Sequence, residues 1–380
     1  MPLAIDVEEV TITIWDVIVI GAGPAGAMAA RALAIRGWEV LLVDRATFPR
    51  HKVCGCCLNR HALSALEAAG LEDLPAKLGA VPLGRVKLAS GGRSATVRLP
   101  GGLALSREAF DLALIAEAEV AGATFLPGTR VHLNESEAGT DCVSLTNGMR
   151  AKAVIVADGL NGRAGADAPR VKPGSRIGAG AILPHAPDEY EAGTIFMASG
   201  RGGYVGLVRL EDGKLDIAAA FDAKLVRERG LAGAAMGILR SSGLPELPGL
   251  PDGDWKGTPP LTRGPVRVAG PRWFAIGDAA GYIEPFTGEG MAWAMASALA
   301  VTPLVERCVQ HGPADLDSEW AALHRTCVGQ RQWTCRAMAW TLKRPTLCAL
   351  AVRGLRLIPA LAIPVVRSLN RPLTPLPGVR

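Results

Sequence analysis

The run of apolar positions near the amino terminus sets the reading frame for the chain. Residues Trp15 to Asp44 read WDVIVIGAGPAGAMAARALAIRGWEVLLVD. Val17 to Ile20 are continuously apolar, small apolar side chains then recur at helical spacing up to Gly37, and Trp38 to Val43 form a second apolar run ending at Asp44. Unbroken runs of this length suit strands buried on both faces, so the pattern predicts strand, tight turn, helix, strand. Further on, a helix is expected over Arg60 to Ala69 and a hairpin over Val86 to Ser90 and Ala95 to Leu99, around Gly91-Gly92. Ser106 is placed to cap a helix over Arg107 to Ala121. Short strands are expected at Thr124 to Leu126, Arg130 to Asn134, Val143 to Thr146 and Ala151 to Val156, the last two joined at Asn147-Gly148, a favoured hairpin turn.

From Val171 to Leu261 the pattern changes to short alternating segments, Arg176 to Leu183, Gly193 to Met197, Tyr204 to Leu210 and Leu215 to Phe221, with a helix around Leu231 to Leu239. This predicts a mostly antiparallel sheet, left through a proline-rich connection. A short strand from Trp273 then ends at Gly277-Asp278, and a small-residue helix begins at Met291 after Gly288-Glu289-Gly290. Pro345 to Arg371 is strongly apolar but interrupted by Arg353, Arg356, Pro359, Pro364 and Arg367, which predicts two short helices instead of a spanning one. They either complete the core behind the sheet or present a basic, apolar face to a membrane surface or a substrate entrance. The expected fold is α/β. A discontinuous Rossmann-type domain of ββα topology covers 1–84, 100–170 and 262–310, an inserted sheet domain covers 85–99 and 171–261, and a helical segment covers 311–380.

Composition narrows the function. The chain has 380 residues, 49% of them hydrophobic, with a net charge of +5 and scattered basic residues. That is ample for a buried core and offers no basic tract for nucleic acid. Met1 to Ile14 carries no export signal, so a cytoplasmic enzyme with peripheral membrane contact through 345–371 is expected; oligomeric state is not legible. Eight cysteines in this length are not a disulfide scaffold. His51, Cys54, Cys56, Cys57 and His61 are clustered, but no second ligand pair follows, so no metal is expected.

The candidate chemistry begins at Gly21-Ala22-Gly23-Pro24-Ala25-Gly26. Gly21 permits the turn, Gly23 admits a pyrophosphate, and Gly26 lets helix and strand pack closely, so the helix amino terminus faces phosphates. Asp44, about 20 residues on, is placed to accept hydrogen bonds from an adenosine ribose. A buried strand delivers Ala157-Asp158-Gly159 to the carboxyl edge of the sheet, where ligands bind in open α/β folds. The backbone at Gly288, Gly290 and Met291 is suited to approach a reduced flavin, whose negative charge a helix amino terminus stabilises.

The three motifs, in this order, resemble those of FAD-dependent hydroxylases of the p-hydroxybenzoate hydroxylase fold, with a glutathione reductase-like nucleotide domain. Phe48-Pro49-Arg50-x-Lys52-x-Cys54-Gly55 and Arg107-x-x-Phe110-Asp111 resemble the geranylgeranyl reductase branch, and the resemblance spans Asp16 to Leu304. It implies that Gly21, Gly23 and Gly26, with Pro24 and Ala25, hold the FAD pyrophosphate and that Asp44 and Arg45 serve the adenosine ribose. It places Asp278 at the ribityl or pyrophosphate region and Asp158 near the pyrophosphate, serving the nicotinamide that delivers hydride. It further implies that Lys52 and Arg107 contact FAD, that the Val131 backbone meets the adenine, and that Gly288, Gly290 and Met291 lie against the flavin pyrimidine edge. Pro285 and Cys54-Gly55 would run along the ring, making Cys54 a catalytic candidate together with Tyr204. The Tyr-x-Trp-x-Phe-Pro segment of geranylgeranyl reductases is reduced to Tyr204-Val205-Gly206-Leu207, and the Trp-x-Trp-x-Ile-Pro segment of halogenases is absent. No second strand-preceded GxGxxG provides a separate NAD(P)H domain. The expected activity is FAD-dependent and uses NAD(P)H. Hydroxylation of an apolar aromatic or polyketide-like small molecule is placed first, reduction of a prenyl or other carbon–carbon double bond second, and a non-catalytic flavoprotein last.

Overall fold

The computed structural model describes residues 13–134, 141–160, 162, 171–263, 267–284, 288–329 and 332–371. Its first sheet runs, from edge to edge, Ala269–Gly270, Trp273–Ala275, Arg150–Val156, Ile14–Ile20, Val40–Val43 and Thr124–Leu126, with Val143–Ser144 beside Arg150–Val156. The central strands are parallel: Val17 to Ile20 pair with Val40 to Val43 on one side and with Ala153 to Val156 on the other. Both faces of the first strand are covered. Val17 and Val19 enter the large core under helices Pro24–Ala34 and Gly290–His311, and Ile18 and Ile20 enter a smaller core with Met149 and Trp273. Two-sided burial is why the strand reads as a continuous apolar run.

Gly290–His311 is long and apolar enough, by length and composition, to cross a membrane. Every residue from Met291 to Thr302 is buried, and the helix packs on Pro24–Ala34, so its hydropathy is that of a core helix.

The second sheet runs Lys256–Pro260, Ile177–Leu183, Leu215–Phe221, Gly203–Arg209, Thr194–Gly200, Arg85–Ser90 and Arg93–Arg98. It is antiparallel except where Thr194–Gly200 runs parallel to Arg85–Ser90, which ties the early hairpin to the later strands. One face packs under helix Ala223–Ser242, longer than its sequence signal and kinked at Gly230 (φ 67°), with Val205, Leu215, Ile217 and Phe221 inside. The other face is turned to the first domain and to the carboxyl-terminal helices. Of these, Pro345–Leu357 lies across Arg85–Ser90 and Arg93–Arg98, and Ile363–Leu369 follows it after one 3-10 turn.

Arg176 ties these parts together. Its buried guanidinium donates to Asp222 Oδ1 (3.1 Å), Glu284 Oε1 (3.0 Å) and the Leu342 carbonyl (3.0 Å). One expected strand is corrected: Arg130 to Asn134 makes a single bridge, Leu133 to Leu145, instead of a ladder. The residues just before it are committed elsewhere, the Gly128 and Thr129 amides bonding back to the carbonyls of Ala46 and Asp44. Backbone pairing is confined, among the described residues, to the bonds from the Asn134 amide to the Ser144 carbonyl and from the Thr146 amide to the His132 carbonyl.

Candidate active site

The glycine turn and the Asp-Gly loop, far apart in sequence, are one packed unit. Gly21 sits at φ 106°, and a Cβ there would collide with the Ala157 carbonyl. A Cβ on Gly26 would collide with the Gly21 carbonyl, so the helix start presses on the turn and the turn presses on the Ala157-Asp158 backbone. Asp44 closes the same unit, its carboxylate accepting from the Ala22 and Ala46 amides at 2.8 Å each. Gly23 is different. A Cβ there would meet only the guanidinium nitrogens of Arg50 (3.6 Å) and Arg107 (3.8 Å), which leaves an open cradle with two cations over it.

These cations are held from behind by buried Asp111. Arg107 gives it two parallel bonds of 2.7 Å and Arg50 approaches at 3.4 Å. Two guanidiniums share one carboxylate at the turn, and the Cys54 sulfur also contacts Arg107. The amino termini of helices Pro24–Ala34 and Gly290–His311 both open here, and neither has a side-chain cap on its first amides. Cations, glycine cradle and unoccupied helix amides match what a pyrophosphate and an anionic flavin ring require. The residues therefore fit FAD.

A cavity of about 870 Å³ starts at this cradle. It is lined by Gly23, Pro24, Ala25, Asp44, Lys52, Cys54, Gly55, Arg107, Asp158, Tyr204, Asp278, Gly288, Gly290 and Met291, all candidates from the sequence. Gly21 and Gly26 lie beneath it as packing residues. Arg45 is exposed and Val131 is buried in the smaller core; neither side chain lines the cavity. Pro285 lies outside the described residues. Among the lining residues that were not site candidates, two charged ones bear on the chemistry. Arg50 is hidden in a basic loop, and Asp216 sits in what reads as an ordinary strand.

Charge inside the cavity is strongly conditioned by burial. Burial pushes the Lys52 ammonium down, helped by Arg107, and pushes Asp278 up against the pull of Lys52 and Arg107. Cys54 moves the other way: hydrogen bonding from Cys56, with Arg107 close by, lowers its thiol to about 5 although burial opposes this. The same contact, together with burial, raises Cys56. Tyr204 is bonded to Glu284 and lies under the Arg176 guanidinium at 5.7 Å, so its hydroxyl belongs to the network that anchors the helical segment.

Beyond Cys54 the cavity is mostly apolar, with Asp216 as a buried acid in it. Leu83, Val86, Leu88, Ile195 and Met197 form the sheet side, Leu355, Val366 and Leu369 of the carboxyl-terminal helices line the other, and Leu350 and Leu361 sit largely exposed at its mouth. The helices expected either behind the sheet or at an entrance are thus the wall of the cavity.

Fold and cavity together define a flavin-dependent oxidoreductase of the p-hydroxybenzoate hydroxylase fold. Residues 15–194 match the FAD binding domain family. The flavin-dependent brominase Bmp2 superposes with a TM-score of 0.77 at 17% identity over 94% of each chain. Pseudomonas aeruginosa PqsL, solved with 2-aminobenzoylacetate, superposes at 0.71 and 20% identity over 89% of this chain and 99% of its own. In sequence, a menaquinone reductase of Mycolicibacterium smegmatis is 28% identical over 87% of this chain and 85% of its own. Digeranylgeranylglycerophospholipid reductase 2 of Methanopyrus kandleri is 30% identical over 73% of each. The chain belongs to the family of FAD-dependent oxidoreductases that contains these digeranylgeranylglycerophospholipid reductases. It is an enzyme with FAD as cofactor, in a family where NAD(P)H is the usual co-substrate.

Proposed function

We propose that this enzyme uses reduced FAD to saturate a carbon–carbon double bond in the isoprenoid chain of a lipid. The observation that carries the reading is the apolar half of the cavity, walled by Leu355, Val366 and Leu369 and reached from the thiol loop at Cys54. Most of that lining offers a polar aromatic substrate no hydrogen-bond partner, whereas an isoprenoid chain loses only water contact. The two sequence relatives support it, because menaquinone and a digeranylgeranyl lipid have an isoprenoid chain in common and little else. The order of activities expected from sequence is thereby reversed.

In this reading Gly23, Pro24 and Ala25 with Arg50 and Arg107 hold the pyrophosphate over the packed turn of Gly21 and Gly26, and Asp44 holds the adenosine ribose. Lys52, Asp158, Asp278, Gly288, Gly290 and Met291 surround the rest of the cofactor. Bound FAD supplies hydride chemistry. The protein orients the chain against it, keeps water out through the helical wall, and presents Cys54 as a thiolate next to Arg107. Residues 1–84, 100–170 and 262–310 would form the cofactor domain, 85–99 and 171–261 the substrate sheet, and 311–380 the cover. Leu357, Ile358 and Ile363 are exposed beside Arg353, Arg356 and Arg367, a composition suited to an anionic membrane surface from which such a lipid is drawn.

Hydroxylation is the second reading. The observation in its favour is Gly206, at the cavity wall where geranylgeranyl reductases carry a Trp. Incubation of the holoenzyme and NADPH with menaquinone and, separately, with digeranylgeranylglycerophospholipid decides between them. A product heavier by two hydrogens that persists in air supports chain reduction. A product that reverts in air is a quinol, and a product heavier by one oxygen atom is hydroxylated.

A further inference from the structure

Asp216 is a carboxylic acid placed in the apolar part of the cavity with nothing to neutralise it. On its strand, Leu215 and Ile217 face the core under helix Ala223–Ser242, while Asp216 and Ala218 line the cavity. The residue is 3% exposed, and its Oδ2 has no hydrogen-bond partner. Among the described residues no cation is paired with it. The groups around it are the Cys56 thiol, which hydrogen-bonds to it, the Cys57 thiol and the Cys54 sulfur. A charged carboxylate left unpaired in such a place is strongly unfavourable, so the group takes up a proton; a neutral acid with one vacant oxygen costs much less. Burial, and then the Cys54 charge, push its pKa well above the usual carboxylate range.

A protonated acid that lines the cavity beside the thiol loop is placed as a proton donor. We propose that Asp216 is the catalytic acid that protonates the substrate double bond. This rests on the double-bond reduction argued above. Reduction breaks one π bond and forms two C–H bonds. One carbon receives the hydride, with its electron pair, that reduced FAD supplies, and the other receives the Asp216 proton. The Asp216 O–H bond breaks, leaving a carboxylate that solvent reprotonates when the product departs. A single acid placed close to the hydride source also selects which double bond along the chain reacts.

Asp216→Asn tests this, since the amide is isosteric and carries no transferable acid proton. The melting temperature of the variant holoenzyme is measured alongside, and it is expected to stay close to that of the wild type because one neutral group of the same shape replaces another. In anaerobic single turnover of reduced holoenzyme with menaquinone in D2O, wild type is expected to place solvent deuterium on the saturated bond. The variant is expected to be slower by roughly 10² to 10⁴. Infrared difference spectra, wild type minus variant, are expected to contain a protonated-carboxyl stretch at pH 7. Saturation by the variant within about threefold of the wild-type rate overturns the assignment. So does a wild-type spectrum showing carboxylate at Asp216. If wild type saturates neither menaquinone nor digeranylgeranylglycerophospholipid, the underlying functional reading fails, and this assignment falls with it.

Discussion

Arg107 and Asp111, one helical turn apart, are joined by two parallel hydrogen bonds of 2.7 Å, and Asp111 is fully buried behind the glycine turn. The pair fixes the direction of a guanidinium that would otherwise swing, and it brings Arg50 to the same place. Asp111→Ala leaves two guanidiniums without their counter-charge. Breaking a buried pair of this kind costs about 3–5 kcal/mol. FAD affinity, read from quenching of flavin fluorescence on binding, is expected to fall by at least about tenfold, with a clear drop in melting temperature.

The packed unit of Gly21, Gly26 and Ala157 makes a sharper steric prediction. Gly26→Ala drives a methyl into the Gly21 carbonyl, and the backbone must move. Overpacking of this sort costs about 1–3 kcal/mol. Gly84→Ala is the control, since its Cβ would meet no atom within 4 Å and its backbone needs no positive φ. Chemical denaturation of both apoproteins is expected to show a loss for Gly26→Ala and a change within about 0.5 kcal/mol for Gly84→Ala.

Cys54 gives a pH signature. Its thiol is lowered to about 5, so it is a thiolate above that pH and protonated below it. Alkylation by iodoacetamide in the apoprotein, resolved by peptide mass, is therefore expected to be at its plateau at pH 7 and to fall as pH drops through 5. Burial pushes Cys57 upward, so it stays a thiol and reacts slowly throughout that range. Equal rates at the two positions would remove the contact between Cys54, Cys56 and Arg107 from the account.

The helical wall separates the two halves of the reaction. Leu355→Asp puts a charge into the apolar part of the cavity, away from the cradle at Gly23. Rapid-mixing absorbance is expected to show NADPH reducing the flavin within about threefold of wild type, while saturation of menaquinone falls by at least about tenfold. Equal losses in both steps would mean that the helix serves general stability only.

How much of this could be read from the chain follows from the range of the interactions. The glycine turn, Asp44 and the Asp-Gly loop are local signals, each carried by one strand and the turn after it, and the parallel sheet followed from them. Asp216 was invisible because Leu-Asp-Ile-Ala alternates like any half-exposed strand; only the packing of the Cys54 to Cys57 loop against that strand turns its polar face inward. Arg50 is one of several basic residues in a loop, and its partner Asp111 is on a helix about which the loop says nothing. Arg130 to Asn134 reads as a strand by composition, but its neighbouring amides are spent on Ala46 and Asp44.

The central claim is that an isoprenoid double bond, and not oxygen, takes the hydride. Stopped-flow reoxidation of anaerobically reduced holoenzyme mixed with menaquinone, with product masses from the same quench, tests it directly. The account predicts flavin reoxidation without oxygen, with one chain double bond saturated per FAD. A flavin that stays reduced until oxygen is admitted, with a lipid that then gains an oxygen atom, would contradict it.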